Sequence, residues 1–147
     1  MMDTWVSTPV RPSLTATDHA IEAAFGFARQ HDVAIAVAIV DSAGHLICVK
    51  RMDTARPISA DLAMCKARTA AVFQRDTSDL QIMAASGSPA FGIQYHEYAS
   101  AGMLPGGIPL RSDSGLHGAV GVSGADREKD IACATAACLS LLKNEQE

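Results

Sequence analysis

Along residues 33–40, "VAIAVAIV", no polar side chain interrupts the chain, and the residues alternate in size rather than in polarity. Val33, Ile35, Val37 and Ile39 point to one side of an extended backbone, and Ala34, Ala36 and Ala38 to the other. Apolarity on both sides predicts a central strand over Val33–Val40, covered on both faces by other elements. "DSAG" (Asp41 to Gly44) supplies turn residues, and "HLICVKRMD" returns as the antiparallel partner. Its alternation sets His45, Ile47, Val49 and Arg51 against Leu46, Cys48, Lys50 and Met52.

Helical periods flank this hairpin. "LTATDHAIEAAFGFARQH" repeats Ala20, Ile21, Ala24, Phe25 and Ala28 at helical spacing, with Thr15 as the expected N-cap and Asp18 three residues on. Ser59 is the expected cap of "ADLAMCKARTAAVFQ". Its apolar stripe of Leu62, Ala63, Ala70 and Phe73 has Lys66 in its middle, and its opposite face holds Asp61, Arg68 and Arg75. A shorter helix is expected at "TSDLQIMAAS", capped by Thr77 or Ser78, before "GSPAFG" breaks the pattern. "IPLR", the turn "SDSG" and "LHGAVGVSG" predict a second hairpin, in which Gly118 and Gly121 imply close approach by another backbone or a ligand. A last helix is expected from about Asp126 to Leu142, with Glu128 and Asp130 in its first turn and Lys143 at its end, complementing the helix dipole.

The order helix, strand, strand, helix, helix, strand, strand, helix contains no βαβ alternation. It predicts an α+β fold, an antiparallel sheet with helices packed against it. Residues 1–13, with Pro9 and Pro12, are expected to form a flexible arm, and residues 14–147 a single domain.

Composition narrows the partners. The net charge of -4 comes with no cluster of Lys and Arg, which argues against a nucleic-acid surface. No apolar run approaches membrane-spanning length, and "MMDTWVSTPVRP" has no secretory signal pattern, so a cytoplasmic setting is expected. Cys48, Cys65, Cys133 and Cys138 form no CxxC pair and are expected as buried or half-buried free thiols. The five histidines contain no metal motif, so no metal site is expected.

Candidate chemistry sits at a few positions. An ammonium in the small-residue stripe, Lys66, must snorkel, pair with a carboxylate or line a polar cavity where it could hold an anion. Arg51 shares a strand face with apolar side chains, and its planar guanidinium suits a carboxylate. Gly106 and Gly107 in "PGGIPL" can expose backbone N–H groups to an anion, or can simply make a tight turn. Tyr95, His96, Glu97 and Tyr98 form a dense proton-handling cluster: an imidazole exchanges protons near neutral pH, phenols donate to a developing oxyanion, and a carboxylate orients an imidazole. Neighbours on an extended chain point apart, so only some of the four can face one pocket.

"VAIAVAIVDSAGHLICVKRMD", "KARTAAVF", "FGI", "PGGIPL" and "GAVGVSG", followed by Asp130, together resemble the GlcG/HbpS-like family, also described as haem-degrading or haem-binding. The same blocks are similar to the C-terminal part of PduO-type corrinoid adenosyltransferases, and the match covers residues 14–142. The resemblance implies a profilin-like fold with a five-stranded antiparallel sheet, the fifth strand falling within 95–104, and assembly into homo-oligomers, dimers or larger rings. It also implies haem as a possible cofactor, for which His19, His45 and His96 are the available axial ligands. Family members carry a Gly-rich turn and a β-branched strand where this chain has "QYHEYASAGML", a departure that implies a pocket wall rebuilt for a ligand other than haem.

Three functions stay open. The chain binds haem or another tetrapyrrole. Or it is a metal-free lyase, hydratase or isomerase acting on an oxygenated anionic metabolite, with Arg51, Lys66 and Arg111 holding anionic groups and His96 or a tyrosine moving the proton. Or it is a non-catalytic accessory subunit.

Overall fold

The computed structural model describes residues 11–97 and 102–144. Helix α1 (Leu14–Gln30) leads into the hairpin β1 (Ala36–Asp41) and β2 (Leu46–Arg51). Helices α2 (Ile58–Phe73) and α3 (Thr77–Met83) follow, then one 3-10 turn (Ile93–Tyr95). A second hairpin, β3 (Gly107–Ser112) and β4 (Gly115–Ser123), precedes α4 (Arg127–Asn144). The strands lie in the order β2-β1-β4-β3, and every pairing is antiparallel.

The size alternation in β1 decides what covers each face. Ile35, Val37 and Ile39 pack with Ala20, Ile21, Ala24, Phe25 and Ala28 of α1 and with Cys133, Ala134, Ala137, Cys138 and Leu141 of α4. Ala36, Ala38 and Val40 meet Ala63, Ala67, Ala70 and Ala71 of α2. Branched side chains thus fill a wide gap under two helices, while alanine against alanine lets α2 lie close to the sheet. Gly121 takes this to its limit: a Cβ there would stand 2.1 Å from the Ala63 carbonyl oxygen and 2.5 Å from the Ala67 nitrogen. At Gly118 a Cβ would meet the Val40 carbonyl oxygen at 2.1 Å. Both glycines serve the close backbone approach expected of them.

Several boundaries differ from the sequence reading, each for a local reason. Ser13, not Thr15, caps α1, its hydroxyl accepting the Ala16 N–H at 3.1 Å. Pro57 opens α2 in helical conformation without any side-chain cap, and Ser59 lies buried inside the first turn; proline's fixed φ and missing N–H suit that opening position. Asp76 occupies the cap position of α3 without a side-chain bond. The hydroxyl of Thr77 is used elsewhere, donating to the Leu104 carbonyl (2.7 Å) and accepting from the Gly107 N–H (2.9 Å). The first strand begins at Ala36 rather than Val33, because Ile35 bonds to Met52 beyond the end of β2.

The sheet has four strands among the described residues, not the five expected from the resemblance. Of the stretch expected to supply the fifth, Tyr95 closes the 3-10 turn and residues 98–101 lie outside the described residues. The expected arm at 1–13 likewise lies outside them as far as residue 10.

Candidate functional site

The cation in the α2 stripe is a staple. Lys66 is 2% exposed, and its Nζ donates to the Val122 carbonyl (2.8 Å) and to Asp130 Oδ2 (3.0 Å). Asp130, in the first turn of α4, accepts the Ala125 N–H on its other oxygen at 2.9 Å. Burial pulls the ammonium below its usual pKa against the pull of Asp130. Burial likewise pushes the carboxyl up, opposed chiefly by Lys66. The pair resolves the question raised by a charge in an apolar stripe in favour of pairing.

The two glycines close over that pair. Gly106 adopts φ +122, and a Cβ on it would lie 2.5 Å from the Val122 oxygen and 3.2 Å from Lys66 Nζ. The Gly107 N–H is committed to Thr77, and a Cβ there would stand 2.5 Å from the Lys66 carbonyl oxygen. Both residues are buried, so the turn packs α2 against β3.

The remaining candidates are scattered. Arg111 reaches from β3 to donate to the Gln74 carbonyl, at the left-handed C-cap of α2. Arg51 stands exposed at the end of β2. Tyr95 is 81% exposed, and His96 and Glu97 follow it on the surface; Tyr98 lies outside the described residues. His19 is exposed on α1, next to an Asp18 that pairs with Lys50 at 2.8 Å.

A pocket of about 310 Å³ lies between the β1–β2 turn and α2. Val40, Leu46 and Met64 give it apolar walls; His45, Cys65 and Arg68 bring an imidazole, a thiol and a guanidinium. None of Arg51, Lys66, Tyr95, His96, Glu97 or Arg111 lines it. The Cys65 thiol is pushed up by burial and by Asp61, with Arg68 opposing. His45 was visible as a candidate ligand in the sequence, but Met64, Cys65 and Arg68 were not. Their spacing of three and four carried the signal, since such residues share a helix face. What could not be read was that the Gly44 turn folds back onto that face.

The fold and this pocket define a small α+β module with an apolar hollow that presents soft and basic groups. The sequence matches the family described as haem degrading protein HbpS-like over residues 13–138, and the chain belongs to it. It is 38% identical over 96 residues to protein GlcG of Escherichia coli (strain K12), covering 65% of this chain and 69% of that one. The crystal structure of a PduOC:haem complex is similar with a TM-score of 0.83 and 30% identity, covering 89% of this chain and 95% of that one. A double mutant of Streptomyces reticuli HbpS gives a TM-score of 0.84 at 27% identity, covering 96% and 94%. Among the described residues no helix is long and apolar enough to cross a membrane.

Proposed function

We propose that the chain binds haem or a closely related tetrapyrrole, with the pocket beside the β1–β2 turn as the site. The observation that carries this reading is the lining of that pocket: one imidazole, His45, at an apolar hollow that also holds the sulfurs of Met64 and Cys65. Imidazole and thioether are among the side chains that ligate haem iron, as is a thiolate, which the burial of Cys65 disfavours. Family membership and the haem complex of a 30% identical neighbour support the same ligand. The volume, about 310 Å³, is at the low end of small-molecule sites, so the pocket would embrace only part of a macrocycle.

Bound haem supplies a redox-active iron. The chain's own residues would do the rest: Val40 and Leu46 would supply apolar contact to the ring, and the His45 imidazole would hold the metal. His19, exposed on α1, does not line this pocket. Titration of the protein with hemin should give a saturable, sharpened Soret band. His45→Ala should shift that spectrum towards that of a weakly ligated iron, and His19→Ala should not. A titration indistinguishable from hemin in buffer would remove the reading. A spectrum lost in His19→Ala alone would move the site to α1.

A further inference from the structure

The pocket's mouth carries a charge that iron ligation does not require. Arg68 stands four residues after Met64 and three after Cys65, so the three share one face of α2 and line the same hollow. The β1–β2 turn lies against its stem. A Cβ on Gly44 would lie 3.2 Å from Arg68 Cγ and 3.1 Å from Val72 Cγ2, tight contacts at a residue whose φ of +86 already favours glycine. The turn therefore rests on the methylenes of Arg68, while Arg68 as a whole remains exposed. A guanidinium held by its stem at the edge of an apolar hollow is pre-organised, and less entropy is lost when it captures a planar oxyanion. Its five N–H donors let it keep contacts within the protein and still take a carboxylate.

We infer that this pocket selects a ligand with a flat apolar body and a carboxylate at its edge, and that Arg68 is the residue that makes the selection. The inference rests on the tetrapyrrole reading and sharpens it. Among macrocycles it favours those with free propionate arms, such as iron protoporphyrin, over corrinoids whose arms end in amides. An amide offers the guanidinium one neutral oxygen, whereas a carboxylate offers two charged ones in the matching fork.

The test compares two ligands on the unaltered protein. Hemin and its dimethyl ester share the ring, the iron and the apolar face, and differ in the carboxylates alone. Hemin should bind roughly tenfold or more tightly than the diester, the size expected for a charge-assisted hydrogen bond. Arg68→Gln should bring hemin down to the affinity of the diester and leave the diester unchanged, and Arg68→Lys should recover part of the difference. Added salt should weaken hemin binding and not diester binding. Equal affinity of hemin and diester for the unaltered protein overturns the selection while leaving the tetrapyrrole reading intact. Failure of both ligands to bind overturns the two together. The comparison of ligands needs no variant to fold, so a poorly behaved Arg68→Gln does not decide it.

Discussion

Lys66 Nζ lies 3.0 Å from Asp130 Oδ2 with both side chains all but sealed from solvent, and this contact ties α2 on one face of the sheet to the start of α4. A buried pair of this kind is poor evidence for net stability, because each charge lost its water on folding. Breaking it from one side is another matter. Lys66→Met should destabilise the fold by about 3–5 kcal/mol, since it strands the carboxylate. The double variant Lys66→Met with Asp130→Leu should recover most of that loss. Urea denaturation of the three proteins reads both numbers, and a single variant as stable as the parent would remove the staple.

Gly121 makes a sharper prediction, because the obstacle is backbone. A Cβ at 2.1 Å from the Ala63 carbonyl oxygen cannot be absorbed by turning a side chain. Gly121→Ala must lift α2 off the sheet, and should cost at least the 1–3 kcal/mol typical of overpacking. Gly26, where a Cβ would meet nothing within 4 Å, is the control. Being inside α1, Gly26→Ala should stabilise the helix by about 0.5–1 kcal/mol. Equal melting temperatures for the two alanine variants would show that the close packing of α2 is wrong.

Much of this architecture is legible in the sequence because β1 announces both of its neighbours. Two-sided apolarity needs two layers, and large residues on one side with alanines on the other give the two layers different depths. The Lys66 stripe was legible only as a problem: the chain shows a cation among alanines, but not that Asp130, 64 residues on, answers it. Helix caps were misread where a polar residue had a better partner in the tertiary structure, as Thr77 has in Gly107 and Leu104. The pocket was least legible. His45 is separated from Cys65 by a strand and a loop, and only the fold-back at Gly44 brings them to one hollow.

The four thiols should divide by depth. Cys133 and Cys138 are buried and Cys48 and Cys65 half-buried. Burial pushes Cys133 up to about 11 and Cys138 up to about 12, from an ordinary 9.0. Above that ordinary value the unfolded chain sheds protons that the folded chain keeps, so the folded state loses stability as pH rises through 9 towards 12. Below pH 9 these two thiols contribute no pH dependence. A thiol reagent on the native protein should modify Cys48 and Cys65 first, and Cys133 and Cys138 only on unfolding. Simultaneous modification of all four would contradict the packing of α4 on β1.

We propose self-association from the surface around α3. Ile82 (63% exposed) on α3, and Phe91 (57%) and Tyr95 (81%) after it in the chain, leave large apolar side chains uncovered, and exposed apolar surface commonly marks contact sites. Light scattering at micromolar concentration should report a mass above that of one chain, and Phe91→Asp should lower it. A mass of one chain throughout would count against the proposal.

The 95–97 segment separates the remaining readings of function. His96 is exposed, and its ring lines no part of the pocket that holds His45. Within a single chain, His96→Gln should therefore leave both the melting temperature and the hemin titration nearly unchanged, while His45→Ala alters the titration. A loss of turnover alone has a clear meaning. If His96→Gln abolishes turnover of an oxygenated anionic metabolite with stability and the hemin titration intact, then His96 works in a site completed by other residues, and the proton-transfer reading gains over the tetrapyrrole one. Tyr95→Phe extends the test, because it removes the phenol oxygen and keeps the ring. A role in contact between subunits needs only the ring, whereas donation to an oxyanion needs the hydroxyl. Loss of assembly in Tyr95→Ala with no change in Tyr95→Phe would assign the exposed aromatic to an interface, and loss of activity in both would assign it to chemistry.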